Sequence, residues 1–200
     1  MKLLEDGQTY TFRSFFEMPF ETEEILAEFG VGFESKRLTL KRTAVDVSVT
    51  NKLKAELEER LDIVRLSSEM ARREVLVSPV LFKAGKLSDS QIRIEYTLAV
   101  DNQLKGKLDY LVRGQQNLLI VEAKNDDMVR GFTQLSVEMI ALSRKDATQS
   151  HVYGAVTIGN VWQFGIFDIA AQQITQDISI YRVPEDLDDV MAILVGILAR

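Results

Sequence analysis

Hydrophobic and polar positions along the chain change period near residue 90. Upstream the spacing is helical. From Thr50 or Asn51, Leu53, Leu57, Leu61 and Val64 form one apolar stripe, with Glu56, Glu58, Glu59 and Arg60 mostly off it. Ser67 and Ser68 are suited to cap a second helix running through Glu69, Met70 and Arg73 towards Val77. Pro79 is expected near a break, and Gly85 to Ser90 reads as a polar connector. Downstream the period becomes two. Ile92, Ile94, Tyr96 and Leu98 alternate with polar residues, Leu108 to Val112 is a short apolar run, and Gly114 to Asn117 is a turn. Leu118 to Val121 is continuously apolar, as in a strand buried on both faces. The pattern predicts strands near 92–99, 107–113 and 118–124, with helices over 52–77 and 131–145.

The helix from Gly131 carries Phe132, Leu135, Met139 and Leu142 on one face. Gln134 and Glu138, four apart, share another face, which either is solvated or reaches over the strand ends. Val152 to Ile158 and Val161 to Phe167 flank Gly159-Asn160, a tight hairpin loop. Pro184 is expected to start a last helix, with Glu185 and Asp186 in its first turn.

The first fifty residues read as a small β-rich extension, with residues 51–200 as the main domain. Tyr10, Phe12, Phe15, Phe16 and Phe20 crowd around short β-prone runs, too short to bury them alone, so docking on the core or a homodimer contact is expected. Glu21 to Phe29 suits a brief acidic helix ending at Gly30, and Arg37 to Val49 a strand. Lys36, Arg37, Lys41 and Arg42 fit a lysine-protected edge strand or, alternatively, a phosphate-contacting patch.

Composition narrows the chemistry. With no cysteine and a single histidine, His151, neither a thiolate zinc site nor a multi-histidine metal centre is available. A metal would have to be held by carboxylates and carbonyls, which suits Mg²⁺, Mn²⁺ or Ca²⁺. The net charge of −6 argues against general coating of nucleic acid, but not against a local basic groove. No stretch is long enough for a membrane span, and the first residues lack the apolar core of a signal peptide, so a cytoplasmic protein is expected.

The informative stretch is Gly106-Lys107-Leu108-Asp109-Tyr110 followed by Leu119-Ile120-Val121-Glu122-Ala123-Lys124. Strand alternation puts Glu122 and Lys124 on one face. A turn centred between Gln115 and Gln116 sets Asp109 directly across from Glu122, with Cβ atoms ~5 Å apart. Two like charges at ~5 Å cost roughly 3 kcal/mol at an effective dielectric of about 20. Lys124 offsets part of that, and a divalent cation would offset more. A Glu-any-Lys triplet arises by chance about once in a chain this charged, and a plain surface ion pair competes with the functional reading. The position at the ends of buried strands is what favours a site.

These residues resemble the core of the PD-(D/E)xK nuclease superfamily, and are most similar to the nuclease domain at the N-terminus of type I restriction enzyme motor subunits. The resemblance spans about residues 67 to 168 and includes Gly106, Asp109, Glu122-Ala123-Lys124, Gln134 and the hairpin with Gly159, Asn160 and Trp162. It implies an α/β (α+β) restriction-endonuclease-like core, a central mixed β-sheet flanked by helices. It implies a metal-dependent nuclease acting on nucleic acid, with DNA the expected partner. Asp109, Glu122 and the Ala123 carbonyl would hold Mg²⁺ or Mn²⁺, and Lys124 and Gln134 would complete the catalytic set. The helix glutamate would be Glu69 or Glu74, with Glu74 preferred. No proline precedes Asp109, and no helicase or target-recognition region is present, so the type I pathway itself is not implied. The rival is a non-catalytic protein-binding or assembly module on the same fold. Lys105, Lys107, Arg113 and Arg130 are candidates for phosphate positioning.

Overall fold

The computed structural model describes residues 3–5 and 7–199. The chain forms a mixed sheet with helices on both faces. Seven strands lie in the order β1-β7-β6-β5-β4-β3-β2, and a short β8 pairs with β6. They are β1 Gly32–Lys36, β2 Gln91–Ala99, β3 Lys105–Arg113, β4 Leu118–Ala123, β5 His151–Thr157, β6 Val161–Asp168, β7 Gln173–Asp177 and β8 Tyr181–Arg182. Strands β2, β3 and β4 are antiparallel neighbours, whereas β4 and β5 are parallel. That parallel step needs a crossover, which helix α6 (Met128–Lys145) supplies.

Strand β4 is buried at all six positions because both of its faces are covered. Leu118 and Ile120 point into a core shared with α6, while Leu119 and Val121 point into the opposite core. That second core is closed by α3 (Val47–Ile63), α5 (Ser78–Leu87) and α7 (Leu187–Leu198). Among the described residues no helix is long and apolar enough to cross a membrane.

Several expectations are corrected. The aromatic segment near the start is helical, with α1 over Phe12–Glu17, whereas the expected acidic helix is present as α2, Thr22–Ala27. Tyr10, Phe12, Phe15, Ile25 and Leu26 are buried in the α6-side core, and β1 pairs in parallel with β7. The first fifty residues are therefore built into the same sheet and core, not set apart as a β-rich extension. Arg37 to Asp46 carries no regular structure despite its Val and Thr content. It lies against α7 through the Thr43 N–H bonded to the Ala192 carbonyl, and Asp46 then caps α3 by accepting from the Ser48 N–H. Tertiary packing overrides β propensity there.

Ser68 does cap α4 (Glu69–Arg72), accepting from the Ala71 N–H. The helix then widens into a π turn over Arg73–Val77, and α5 follows without a break. Pro79 is the second residue of α5, directly after the π turn, and the helix runs on through the expected connector to Leu87. The last helix starts at Leu187, after a turn, rather than at Pro184.

Gly196 in α7 gives a stability prediction of unusual sign. Alanine normally improves a helix interior by about 1 kcal/mol. Here a Cβ would come within 2.7 Å of the Arg42 Cα, part of the backbone laid across the helix. Gly196→Ala is expected to destabilise by about 1–3 kcal/mol in a urea melt, because a backbone cannot yield as a side-chain tip can.

Candidate active site

The β3–β4 hairpin has the expected register, with Tyr110 opposite Val121 and Leu111 opposite Ile120. Its ladder ends there. On the other side, Ile94 pairs with Tyr110 and Tyr96 with Leu108, and Glu95 and Asp109 are left out of the register. Glu95 has a left-handed backbone at φ 53°. Asp109 is thus released from regular pairing on both sides and turns its carboxylate along β4. Its Oδ2 accepts from the Ala123 N–H at 2.9 Å, and its Oδ1 lies 3.1 Å from Arg73 Nη1.

Glu122 lies one residue beyond the apolar run of β4 and is buried against α6. Its Oε1 accepts from Lys124 Nζ at 2.6 Å and from Gln134 Nε2. Gln134 is bonded at both ends of its amide. Its Oε1 accepts from Lys124 Nζ at 2.9 Å, and its Nε2 also donates to Glu138 Oε1 at 2.8 Å. Helix α6 is buried from Gly131 to Ser143, so Gln134 and Glu138 face inward rather than solvent. The Lys124 ammonium sits 4.8 Å from the centre of the Phe16 ring on α1.

A cleft of about 490 Å³ opens over these groups. Asp109, Glu122, Lys124, Gln134, Glu69 and Lys107 line it, with Arg13 and Phe16 from α1 along another wall. Of the two glutamates considered on this helix, Glu69 lines the cleft, whereas Glu74 is exposed and outside it. Of the proposed phosphate contacts, Lys107 lines the cleft, and its Nζ lies 3.2 Å from Glu95 Oε2. Arg113 pairs with Asp146 and Arg130 with Asp127, and neither lines it. In the basic patch, Lys36 pairs with Glu34 and Arg42 with Asp189.

Electrostatics follow from burial. Loss of water pushes the Glu122 carboxyl up to about 8, and the Asp109 charge adds to the rise while Lys124 opposes it. Glu138 is raised well above the carboxylate range, first by burial and then by Glu122. Asp109 is raised by burial, against the pull of Arg73 and of the Ala123 amide. Glu69 is raised by burial and by Asp109. Burial pulls the Lys124 ammonium down, but Glu122, Glu138 and Asp109 more than offset it.

A carboxyl whose pKa is higher folded than unfolded favours folding at low pH, and that contribution is lost as pH rises through the folded value. The protein is expected to lose stability as pH rises from about 5 to about 8. Glu138→Gln keeps an amide oxygen for Gln134 and removes the ionisation. It should raise stability at pH 8.5 by about 1–3 kcal/mol and flatten the pH dependence of the thermal midpoint. A steeper pH dependence in the variant would contradict this account.

An all-oxygen donor set of Asp109, Glu122 and the Ala123 carbonyl suits a hard divalent cation. Glu122 Oε2 is also buried without a hydrogen-bond partner, as a metal-ligating oxygen would be. The residues fit the group. Among the described residues no three carboxylate or imidazole side chains already converge as a metal cage; Asp109 and Glu122 each hold a basic side chain instead. No protein-family model matches the chain, and no curated protein matches its sequence.

Proposed function

We propose that the protein is a metal-dependent nuclease that hydrolyses phosphodiester bonds, with DNA as substrate, on a restriction-endonuclease-like core. The observation that carries this reading is one buried cluster: Glu122, Lys124 and Gln134 interlocked by hydrogen bonds, with Asp109 fastened to the Ala123 amide beside them. The order α5, β2 to β4, α6 and β5, with β4 and β5 parallel, supports the core assignment.

Asp109, Glu122 and the Ala123 carbonyl would hold Mg²⁺ or Mn²⁺. When bound, the ion lowers the pKa of a water ligand and stabilises charge building on the phosphoryl oxygens. An ammonium has three N–H donors, and Glu122 and Gln134 take two of those of Lys124. The third is left for the cleft, where it would orient the attacking water or stabilise the pentavalent phosphate. Gln134 fixes the Lys124 head group, and the Phe16 ring covers its other side. Lys107 stands on the cleft wall as a phosphate contact.

Incubation with single- and double-stranded DNA and RNA in Mg²⁺ or Mn²⁺ tests this reading. Divalent-dependent cleavage of DNA, abolished by chelation, is expected. No cleavage of any nucleic acid and no divalent binding by calorimetry would favour the assembly-module reading.

A further inference from the structure

Arg73 pairs with Asp109, and the nuclease reading does not use it. It opens the π turn between α4 and α5, and its side chain is 15% exposed. One nitrogen, Nη1, lies 3.1 Å from Asp109 Oδ1 and 3.1 Å from Glu95 Oε1. The guanidinium also stands 5.2 Å from the centre of the Tyr110 ring. Two carboxylates from neighbouring strands thus share one guanidinium, and they are unlike. Asp109 is nearly buried and belongs to the proposed metal set, whereas Glu95 is half exposed and belongs to none.

Glu95 is placed for this partnership by its backbone. It sits opposite Asp109 in a ladder interrupted at both residues, with φ 53°, and Lys107 holds its other oxygen at 3.2 Å. A non-glycine residue in that conformation persists only where its surroundings demand it. π turns, likewise, are frequent at functional positions in helices.

Resting on the nuclease reading, we propose that Arg73 is a positioning residue that competes with a divalent cation for Asp109 Oδ1, and that Glu95 takes the guanidinium when the cation holds Asp109. Both carboxylates already lie within reach of the same nitrogen, so the exchange needs only a small swing over the Tyr110 ring. Arg73 remains paired throughout. The cost of stripping a buried cation of its partner is avoided, which a lone Arg73–Asp109 pair would incur on every binding event.

The test is titration calorimetry of the full chain with MgCl₂ and MnCl₂, with thermal melts to confirm folding. Arg73→Gln removes the competitor and should raise divalent affinity by about tenfold or more. Glu95→Gln removes the second partner, tightens the hold on Asp109, and should lower affinity by about threefold or more. In the double variant the Glu95→Gln effect should vanish, because Glu95 acts only through Arg73. Arg73→Lys is the alternative background if Arg73→Gln does not fold. Lysine keeps the charge but not the planar guanidinium that stands over Tyr110 and presents Nη1 to both carboxylates, so Glu95→Gln should change affinity less there than in the wild type.

Lower affinity in Arg73→Gln would mean that Arg73 organises Asp109 for the metal, and would overturn the proposal. Additive effects in the double variant would make Glu95 a free charge in the cleft field, and would overturn it as well. In both cases wild-type binding and cleavage leave the nuclease reading standing. Absence of any divalent binding by the wild type overturns both.

Discussion

Lys124→Ala is expected to slow Mg²⁺-dependent cleavage by about 10²–10⁴-fold while leaving divalent affinity unchanged or slightly raised. The ammonium lies 2.6 Å from Glu122 Oε1, so removing it removes a positive charge beside the ion. It equally removes the donor to Gln134 Oε1. Asp109→Asn should do the reverse at the binding step. An amide is a poorer ligand for a hard cation than a carboxylate, so calorimetry should show weaker Mg²⁺ and Mn²⁺ binding, and cleavage should recover in part at high metal concentration. The two variants separate a ligand from a catalytic lysine. A structural ion pair predicts neither pattern, since it would move the melting temperature and not the metal titration. Equal loss of metal affinity in both variants would refute the division of roles.

How much of this was legible in the sequence depends on whether the signal was local. The continuous apolar run of β4 fixes a strand buried on both faces, and the hairpin turn fixes its register against β3, so Asp109, Glu122 and Lys124 could be brought together in advance. Capping by Ser68 was equally local. The helix glutamate was not. Glu69 and Glu74, five residues apart, lie about 140° apart around a regular helix, so which of them meets the cleft depends on how the helix docks; Glu69 faces the cleft and Glu74 faces solvent. Arg73 itself gave no signal as a partner of Asp109, because that contact depends on the interruption of the β2–β3 ladder at Glu95. Gln134 and Glu138 were correctly put on one face, but whether that face was wet required knowing that α1 and α2 pack over α6. Strand β7, with the polar sequence Gln-Ile-Thr-Gln-Asp, was invisible for the same reason: its burial comes from its neighbours.

Deleting residues 1–36 is expected to abolish folding, a larger effect than any single substitution. The segment contributes Leu4, Tyr10, Phe12, Phe15, Ile25, Leu26 and Val31 to the α6-side core, and it supplies β1, which covers the edge of β7 along five residues. Fully burying a large apolar side chain stabilises by about 1.5–3 kcal/mol, so these residues together rival the about 5–15 kcal/mol by which a typical domain is stable. The truncated chain would also uncover Phe132 and leave β7 unpaired, which invites edge-to-edge association. Light scattering should report aggregation, and circular dichroism should show no cooperative melt. A monomeric product with a sharp melt would mean that the segment is an accessory after all. Two point variants in α1 sharpen the argument. Phe15 is 1% exposed within the core, and Phe15→Ala should cost about 3–5 kcal/mol. Phe16 lies one residue away on the cleft side, over the Lys124 ammonium, so Phe16→Ala should cost at most about 1 kcal/mol of stability. It should nevertheless reduce cleavage, because it frees the Lys124 head group on the side that Gln134 does not hold.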